Sequence, residues 1–229
     1  MAVTPEELAF MKEALPFWNK ISQDQQEKLA LMTTAQVYSK GESIDNGTHG
    51  CMGLLLVKSG QIRAFILSES GKEITLYRLF ERDLCIFSAS CMLKDIDFDI
   101  YMDAERETRI LLIPTLLYNE LNKSSVAVSN YTSELISSRF TDVMWVMEQV
   151  VFMSFDKRLA NFLLEQSVID GSDTLNITHE AIAKHLGSAR EVVTRMLQYF
   201  QNEGMINYFR GGITITDRKK LEKIVRPEL

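Results

Sequence analysis

Apolar positions along this chain change their spacing twice, and each change marks a new kind of structure. Residues 4 to 32 carry helical signals: Thr4 followed by Pro5 can open a helix, and "SQDQQEKLALM" reads as an exposed helix with one apolar edge. From about residue 35 to 113, Gly41, Gly47, Gly50, Gly53, Gly60 and Gly71 punctuate short apolar or alternating runs. Ile62, Ala64 and Ile66 alternate, then Ile74 and Leu76, with "KSGQ" and "SESGK" between runs, which predicts antiparallel hairpins. Several short strands at this spacing point to a barrel or a sandwich.

After Pro114 no glycine occurs until Gly171, a gap long enough for one extended helix or two. Within it Ile136, Phe140, Val143, Met147 and Val150 step by four and three, the seam of a helix that packs along a partner helix. The seam either covers the barrel of its own chain or meets its own copy in a two-fold dimer, and the spacing alone weighs these evenly. Met144 and Trp145 lie off the seam, placed to cover the barrel while the seam pairs.

"SVIDGSDTLN" connects into a compact last unit. Thr178 is a good N-cap for a short helix whose apolar face is Ile182, Ala183 and Leu186, and Gly187 can end it in the left-handed conformation. Ser188 is then expected to start a second helix. Side chains about 100° apart place Arg190, Glu191, Thr194, Arg195 and Gln198 in one sector and Val192, Val193, Met196, Leu197 and Phe200 in the other. Two short helices around a glycine turn, the second with a buried back and a polar front, make a helix-turn-helix. That front suits base edges, because a guanidinium grips guanine O6 and N7 and a carboxylate accepts from the cytosine amino group. A competing reading has "SARE" as a capping box with Glu191 turned back on its own helix, or Glu191 and Arg195 as a surface ion pair. Next, "MINYFRGGITIT" predicts a hairpin wing whose turn, Arg210, Gly211 and Gly212, sets a cation beside a phosphate backbone.

Charge changes the picture. The formal net charge of −6 argues by itself against a polyanion partner. Residues 1 to 170 carry 16 basic against 24 acidic side chains, but residues 171 to 229 carry 9 against 7, so only the last quarter meets a polyanion comfortably. A content of 46% apolar and 24% charged residues is that of an ordinary globular protein. Runs such as "GLLLV" and "ILLIP" are too short to span a bilayer, and the first residues lack a secretion signal, so the cytoplasm is expected. Cys51, Cys85 and Cys91 form no close pair, which fits a reducing compartment, and they read as packing residues before redox ones. His49, His179 and His185 show no metal-ligand spacing apart from the weak His49/Cys51 pair, so no metal is expected. No nucleophile–base spacing, phosphate loop or carboxylate pair emerges, and catalysis is not expected.

The sequence strongly resembles the CRP/FNR family of bacterial transcription regulators over nearly its whole length. The most specific stretch is "ITHEAIAKHLGSAREVVTRMLQYFQNEGMI", which follows the family pattern of threonine, helix, Leu-Gly, a small residue, Arg-Glu, two spacers, a small polar residue and arginine. The resemblance implies an α+β fold: N-terminal helices and an antiparallel β-roll of the cyclic-nucleotide-binding type (residues 1–123), a long dimerisation helix (124–153) and a winged helix-turn-helix (154–229). It implies that Arg190 and Arg195 read guanines, that Glu191 reads a cytosine and that Thr194 tunes preference, within a DNA-binding set completed by Thr178, Ser188 and Arg210. It also implies a homodimer joined along Ile136, Phe140, Val143, Met147 and Val150, a palindromic operator with TGTGA-like or TTGA-like half-sites, and RNA polymerase as a partner of an activator.

The sensor half departs from the family's cyclic-nucleotide binders. Where they carry a Gly-Glu-Leu cassette this chain has "ERDLCIFSASCML", and the later Arg106 is followed by Glu107, which would repel a phosphate. Cyclic AMP is therefore disfavoured. An iron–sulfur cluster is disfavoured too, since no cysteine precedes Cys51, and His49 is the only haem-ligand candidate. Cys85, Ser88, Ala89, Ser90 and Cys91 sit where relatives bind ligands and are the expected pocket for an unidentified small-molecule or redox effector, the alternative being that they only pack. The function expected is a DNA-binding regulator modulated at the roll. The runner-up is a module that regulates another protein through its cyclic-nucleotide-like domain.

Overall fold

The computed structural model describes residues 3–46, 53–86 and 99–226. They form two compact units, residues 1–67 with 76–143 and residues 68–75 with 144–229.

The first unit opens with helix α1 (Pro5–Ala14), a single 3-10 turn (Trp18–Lys20) and α2 (Gln23–Met32). Both helices start at capping boxes. The Thr4 hydroxyl accepts from the Glu7 N–H while the Glu7 carboxylate takes the Thr4 N–H at 2.8 Å, and Ser22 and Gln25 repeat the exchange. Among the described residues eight strands follow: β1 (Thr34–Tyr38), β2 (Ser43–Asn46), β3 (Leu54–Ser59), β4 (Ile62–Leu67), β5 (Glu73–Leu79), β6 (Leu84–Cys85), β7 (Tyr101–Ala104) and β8 (Thr108–Ile113). They make two four-stranded antiparallel sheets, in the orders β1-β8-β3-β6 and β2-β7-β4-β5.

The two sheets explain why "GLLLV" is apolar throughout. Successive side chains of a strand point to opposite faces, and both faces of the first sheet are covered. Leu54, Leu56, Leu111 and Ile113 join Met11, Phe17, Trp18, Leu29 and Tyr118 in a core under the helices. Leu55, Val57 and Ile110 face the other way, into a second core with Ile62, Ala64, Leu79, Cys85 and Met102. Buried on both sides, the strands read as continuous hydrophobic runs.

Helix α3 (Thr115–Ser124) and α4 (Val126–Phe152) follow, separated by Ser125. The start of α4 is held by Val128, fully buried, and by Thr132, whose hydroxyl meets the Tyr118 phenol at 2.9 Å. Two turns on, Arg139 is buried over the Tyr77 ring (4.8 Å to its centroid), and pairs with Asp142 at 2.8 Å. Val143 packs against the core between the sheets.

One expectation about this helix changes. Val143, expected on the pairing seam, packs against the core between the sheets instead, because it follows Arg139 by one turn and so shares its inward-facing side. Met144 and Trp145 are 42% and 41% exposed. Ile136, Phe140, Met147 and Val150 remain exposed.

Cys85 is fully buried, with its sulfur 3.8 Å from the Tyr77 hydroxyl and 3.8 Å from the Met102 sulfur. Burial pushes the Tyr77 phenol well above its usual pKa. The other expected effector residues, Ser88, Ala89, Ser90 and Cys91, lie outside the described residues, as do His49 and Cys51. Arg106 and Glu107 fall in the β7–β8 turn.

The second unit contains α5 (Phe155–Asp170), β9 (Thr174–Leu175), α6 (His179–Leu186), α7 (Arg190–Asn202), β10 (Ile206–Phe209), β11 (Gly212–Ile215) and α8 (Arg218–Val225). Its three strands form an antiparallel sheet in the order β10-β11-β9. One core joins Leu159 and Leu163 of α5, Ile182 and Leu186 of α6, Val193, Leu197 and Phe200 of α7, Ile206, Ile213 and Leu221. Residues 68–75 belong here through Glu73, paired with Lys184 at 2.9 Å, and Thr75, bonded to the His185 ring at 2.8 Å. Among the described residues no helix is long and apolar enough to cross a membrane.

Candidate nucleic-acid interface

The last unit presents α6, a tight turn and α7, followed by a two-stranded wing. Helix α6 starts where the Thr178 hydroxyl accepts from the Ala181 N–H at 3.1 Å, and it stops at Gly187. Gly187 has φ +62° and ψ +36°, the left-handed region that a side chain disfavours, and this turns the chain sharply enough to launch α7. The Ser188 N–H then closes on the Ala183 carbonyl at 3.0 Å.

Because Ser188 takes part in that turn, α7 begins two residues later, at Arg190, with Ala189 as N-cap and no side-chain capping bond. The expected start at Ser188 is displaced, and the capping-box alternative falls with it. Glu191 is now the second helical residue rather than the third, the wrong place to reach back to a cap. It is exposed and has no side-chain hydrogen bond or ion pair among the described residues, so the Glu191–Arg195 pair is absent as well.

The buried back of α7 is Val193, Leu197 and Phe200, with Val192 and Met196 half-buried at its margins. Arg190, Glu191, Arg195 and Gln198 are exposed on the front. Neither arginine makes a side-chain hydrogen bond or ion pair among the described residues. Thr194 differs. It is half-buried, and its hydroxyl donates to the Arg190 carbonyl at 3.0 Å and meets the His179 Nδ1 at 3.0 Å. Tyr199, 50% exposed, is a front-flank residue that the sector assignment omitted.

The wing joins β10 to β11 through Arg210 and Gly211. Gly211 has φ +89°, the value that the third residue of a type II turn requires. Gly212 lies under the Phe209 ring, where an added Cβ would come within 2.4 Å of the ring edge. The turn therefore holds Arg210 exposed at the tip.

Between the first turns of α6 and α7 and this wing opens a cleft of about 570 Å³, lined among others by Thr178, His179, Arg190, Tyr208, Phe209 and Arg210. His179 was noted in the sequence only for lacking a metal-ligand partner. Here it also packs edge-on to Tyr208, with ring centroids 5.5 Å apart. Burial, and then the nearby Arg190 guanidinium, push its pKa below the usual histidine value, so the ring is neutral at pH 7. Gln201 accepts the Tyr208 N–H at 3.0 Å and ties the wing to α7. Nothing in the periodicity of the chain marks these ties, because they join residues brought together only by the fold. Among the described residues no group of three or more His, Cys, Asp or Glu side chains could hold a metal ion.

The expected DNA-binding residues are thus distributed unevenly. Arg190, Glu191 and Arg195 share the open front of α7, and Arg210 stands at the wing tip. Thr178 caps the start of α6 and Ser188 follows the Gly187 turn. Thr194 is engaged inside the protein. The arrangement offers two guanidinium groups and one carboxylate on one face of a helix, an element that a major groove admits, with a separate cation at the wing tip.

Comparison with known proteins agrees with this reading. A family profile described as "Crp-like helix-turn-helix domain" matches residues 157–224. The Cyclic AMP receptor protein of Thermus thermophilus is 24% identical over 189 residues, 82% of this chain and 87% of that protein. The Global nitrogen regulator of Synechococcus elongatus is 28% identical over 170 residues, 70% of this chain and 75% of that protein. A crystal structure from Eubacterium rectale, assigned to the CRP/FNR transcriptional regulators, is 50% identical, covers 93% of this chain and 99% of its own, and superimposes with a TM-score of 0.90. At that identity and coverage, with an unpaired reading face on the second helix of a winged helix-turn-helix, the chain belongs to the CRP/FNR family of DNA-binding transcription regulators.

Proposed function

We propose that the protein acts as a homodimer on a palindromic operator, each copy laying α7 in the major groove of one half-site. Arg190 and Arg195 read guanines and Glu191 reads a cytosine, while Arg210, Thr178 and Ser188 contact the backbone and fix the register. The observation that carries this is the lack of partners: Arg190, Glu191 and Arg195 stand exposed and unpaired among the described residues. Other cations of the same unit are engaged, Arg218 with Asp173 and Lys184 with Glu73.

The dimer uses α4. Phe140 is 65% and Met147 55% exposed, with Ile136 and Val150 on the same stripe, an apolar strip that a second copy covers in two-fold fashion. Two copies of α7 then sit about 34–36 Å apart, one turn of duplex.

An effector acting at the roll, around Cys85 and residues 88–91, shifts the population of the DNA-competent arrangement. The relatives' names point to different signals, cyclic AMP for one and nitrogen status for another. The effector is therefore argued from this chain's own residues, whose missing Gly-Glu-Leu cassette disfavours cyclic AMP and whose lack of a cysteine before Cys51 disfavours an iron–sulfur cluster. The protein works in the cytoplasm without catalysing a reaction, and an activating role would bring RNA polymerase as a partner.

Selection of duplexes from a randomised pool, followed by mobility-shift titration of the winners, tests this function. The expected result is a two-half-site palindrome bound with a steep salt dependence. Binding with no sequence preference would refute it.

A further inference from the structure

His179 touches all three parts of the reading unit. It is the first residue of α6, its Nδ1 lies 3.0 Å from the Thr194 hydroxyl on α7, and its ring packs edge-on to Tyr208 on the wing strand β10. The proton count at Thr194 fixes how this works. A hydroxyl has one proton, and the Arg190 carbonyl can only accept, so the Thr194 O–H goes to that carbonyl. The contact with His179 then needs the ring to donate its Nδ1–H to the threonine oxygen. Thr194 cannot donate to a base without breaking a bond inside the protein.

We propose that His179 is a positioning residue for base reading: by holding Thr194 against the Arg190 carbonyl, it removes Thr194 as a hydrogen-bond donor to DNA and fixes the first turn of α7, which carries Arg190 and Glu191. The inference rests on α7 being the reading helix. Discrimination between half-sites then comes from Arg190, Glu191 and Arg195, and Thr194 acts only through the brace.

The test uses the full-length protein, the duplex that wild type selects from a randomised pool, and poly(dI-dC) as the non-specific probe. The quantity read is the ratio of the two affinities, which a change in the fraction of folded protein does not alter. His179→Ala and Thr194→Val should each lower the ratio by about 3- to 10-fold, the effect of one hydrogen bond. The double variant should be no worse than the worse single one, because both remove the same bond. His179→Asn places an N–H at the same number of bonds from the backbone and should restore most of the ratio. An unchanged ratio in both single variants overturns the proposal, as do additive losses, which would mean that Thr194 reads DNA independently. Should His179→Ala not fold, His179→Phe, which keeps a ring against Tyr208 and removes the N–H, takes its place in the comparison with Thr194→Val. A wild-type protein without sequence preference would instead sink the assignment of α7 as the reading helix, a result distinct from either.

Discussion

The guanidinium of Arg158, on α5, donates a hydrogen bond to the main-chain carbonyl of Leu186, in the last turn of α6. Carbonyls at a helix end lack partners within the helix, and the end of the helix dipole favours a cation. Arg158 is half-buried and burial lowers its pKa, though an arginine stays charged. It therefore fastens α6 to α5 one residue before the Gly187 turn that sets the direction of α7. Arg158→Met keeps the aliphatic stem and removes the bond. A hydrogen bond to a charged group contributes about 1.5–3 kcal/mol, and the melting temperature of a chain of this size should fall by about 3–10 °C. Circular-dichroism melting of the two proteins checks it.

Glu7 carries the corresponding fastening in the first unit. Its side chain is fully buried, accepts the Thr4 N–H and pairs with the Arg109 Nε at 2.7 Å. Burial pushes its pKa up, but the Thr4 N–H and the Arg109 guanidinium outweigh that, and the net value lies below the ordinary 4.5. A carboxylate lowered in the folded state stabilises it fully above the unfolded value and loses that contribution as the pH falls through the folded one. Stability should thus hold down to about pH 5 and decline below it. Glu7→Gln should lower stability at pH 7 by about 1–3 kcal/mol and flatten the acid decline. Urea midpoints measured from pH 7 to pH 3 give both.

Much of this fold can be read in the sequence, because its signals are local. Thr4 with Pro5, the glycine-punctuated strands and the 100° sectors of α7 each act within a few residues. The limits are equally physical. Whether "SARE" caps its helix depended on whether Ser188 was free, and it was not, since its N–H closes the turn on Ala183. That one hydrogen bond moves the helix start by two residues and releases Glu191. Val143 leaves its expected place on the seam for a similar reason. Period fixes which residues share a stripe, but the direction that a helix faces is set by long-range packing, here by Arg139 over Tyr77. His179, Tyr208 and Gln201 were invisible as a group, being brought together by tertiary contact alone.

The two classes of DNA contact should separate in measurement. Arg195→Ala removes a guanidinium from the open front of α7; if it reads a base as proposed, the change should cost about 1–3 kcal/mol of discrimination at one base pair, leaving non-specific binding nearly intact. Arg210→Ala removes the exposed cation at the wing tip, proposed to meet the phosphate backbone. It should weaken binding to every sequence alike and reduce the slope of log K against log salt by about 1. Mobility-shift titrations of both variants at several salt concentrations, on the selected duplex and its single-base variants, distinguish the two patterns.

The stripe on α4 leads to a last expectation. Phe140 is 65% exposed within one chain, so replacing it disturbs little of the monomer's packing. Glutamate is a good helix former and keeps α4 intact. In a dimer joined along this stripe, Phe140→Glu would face its own copy or the apolar stripe of the partner, and burying a charge there is costly. The variant should melt within a few degrees of wild type at low concentration yet sediment as a monomer. Its affinity for a full palindrome should drop to that for a single half-site, because the two reading helices are no longer linked. Val168, 74% exposed on α5 and off the stripe, supplies the control: Val168→Glu should change neither sedimentation nor operator affinity. Sedimentation velocity with both variants decides it, and a dimeric Phe140→Glu protein would place the interface elsewhere.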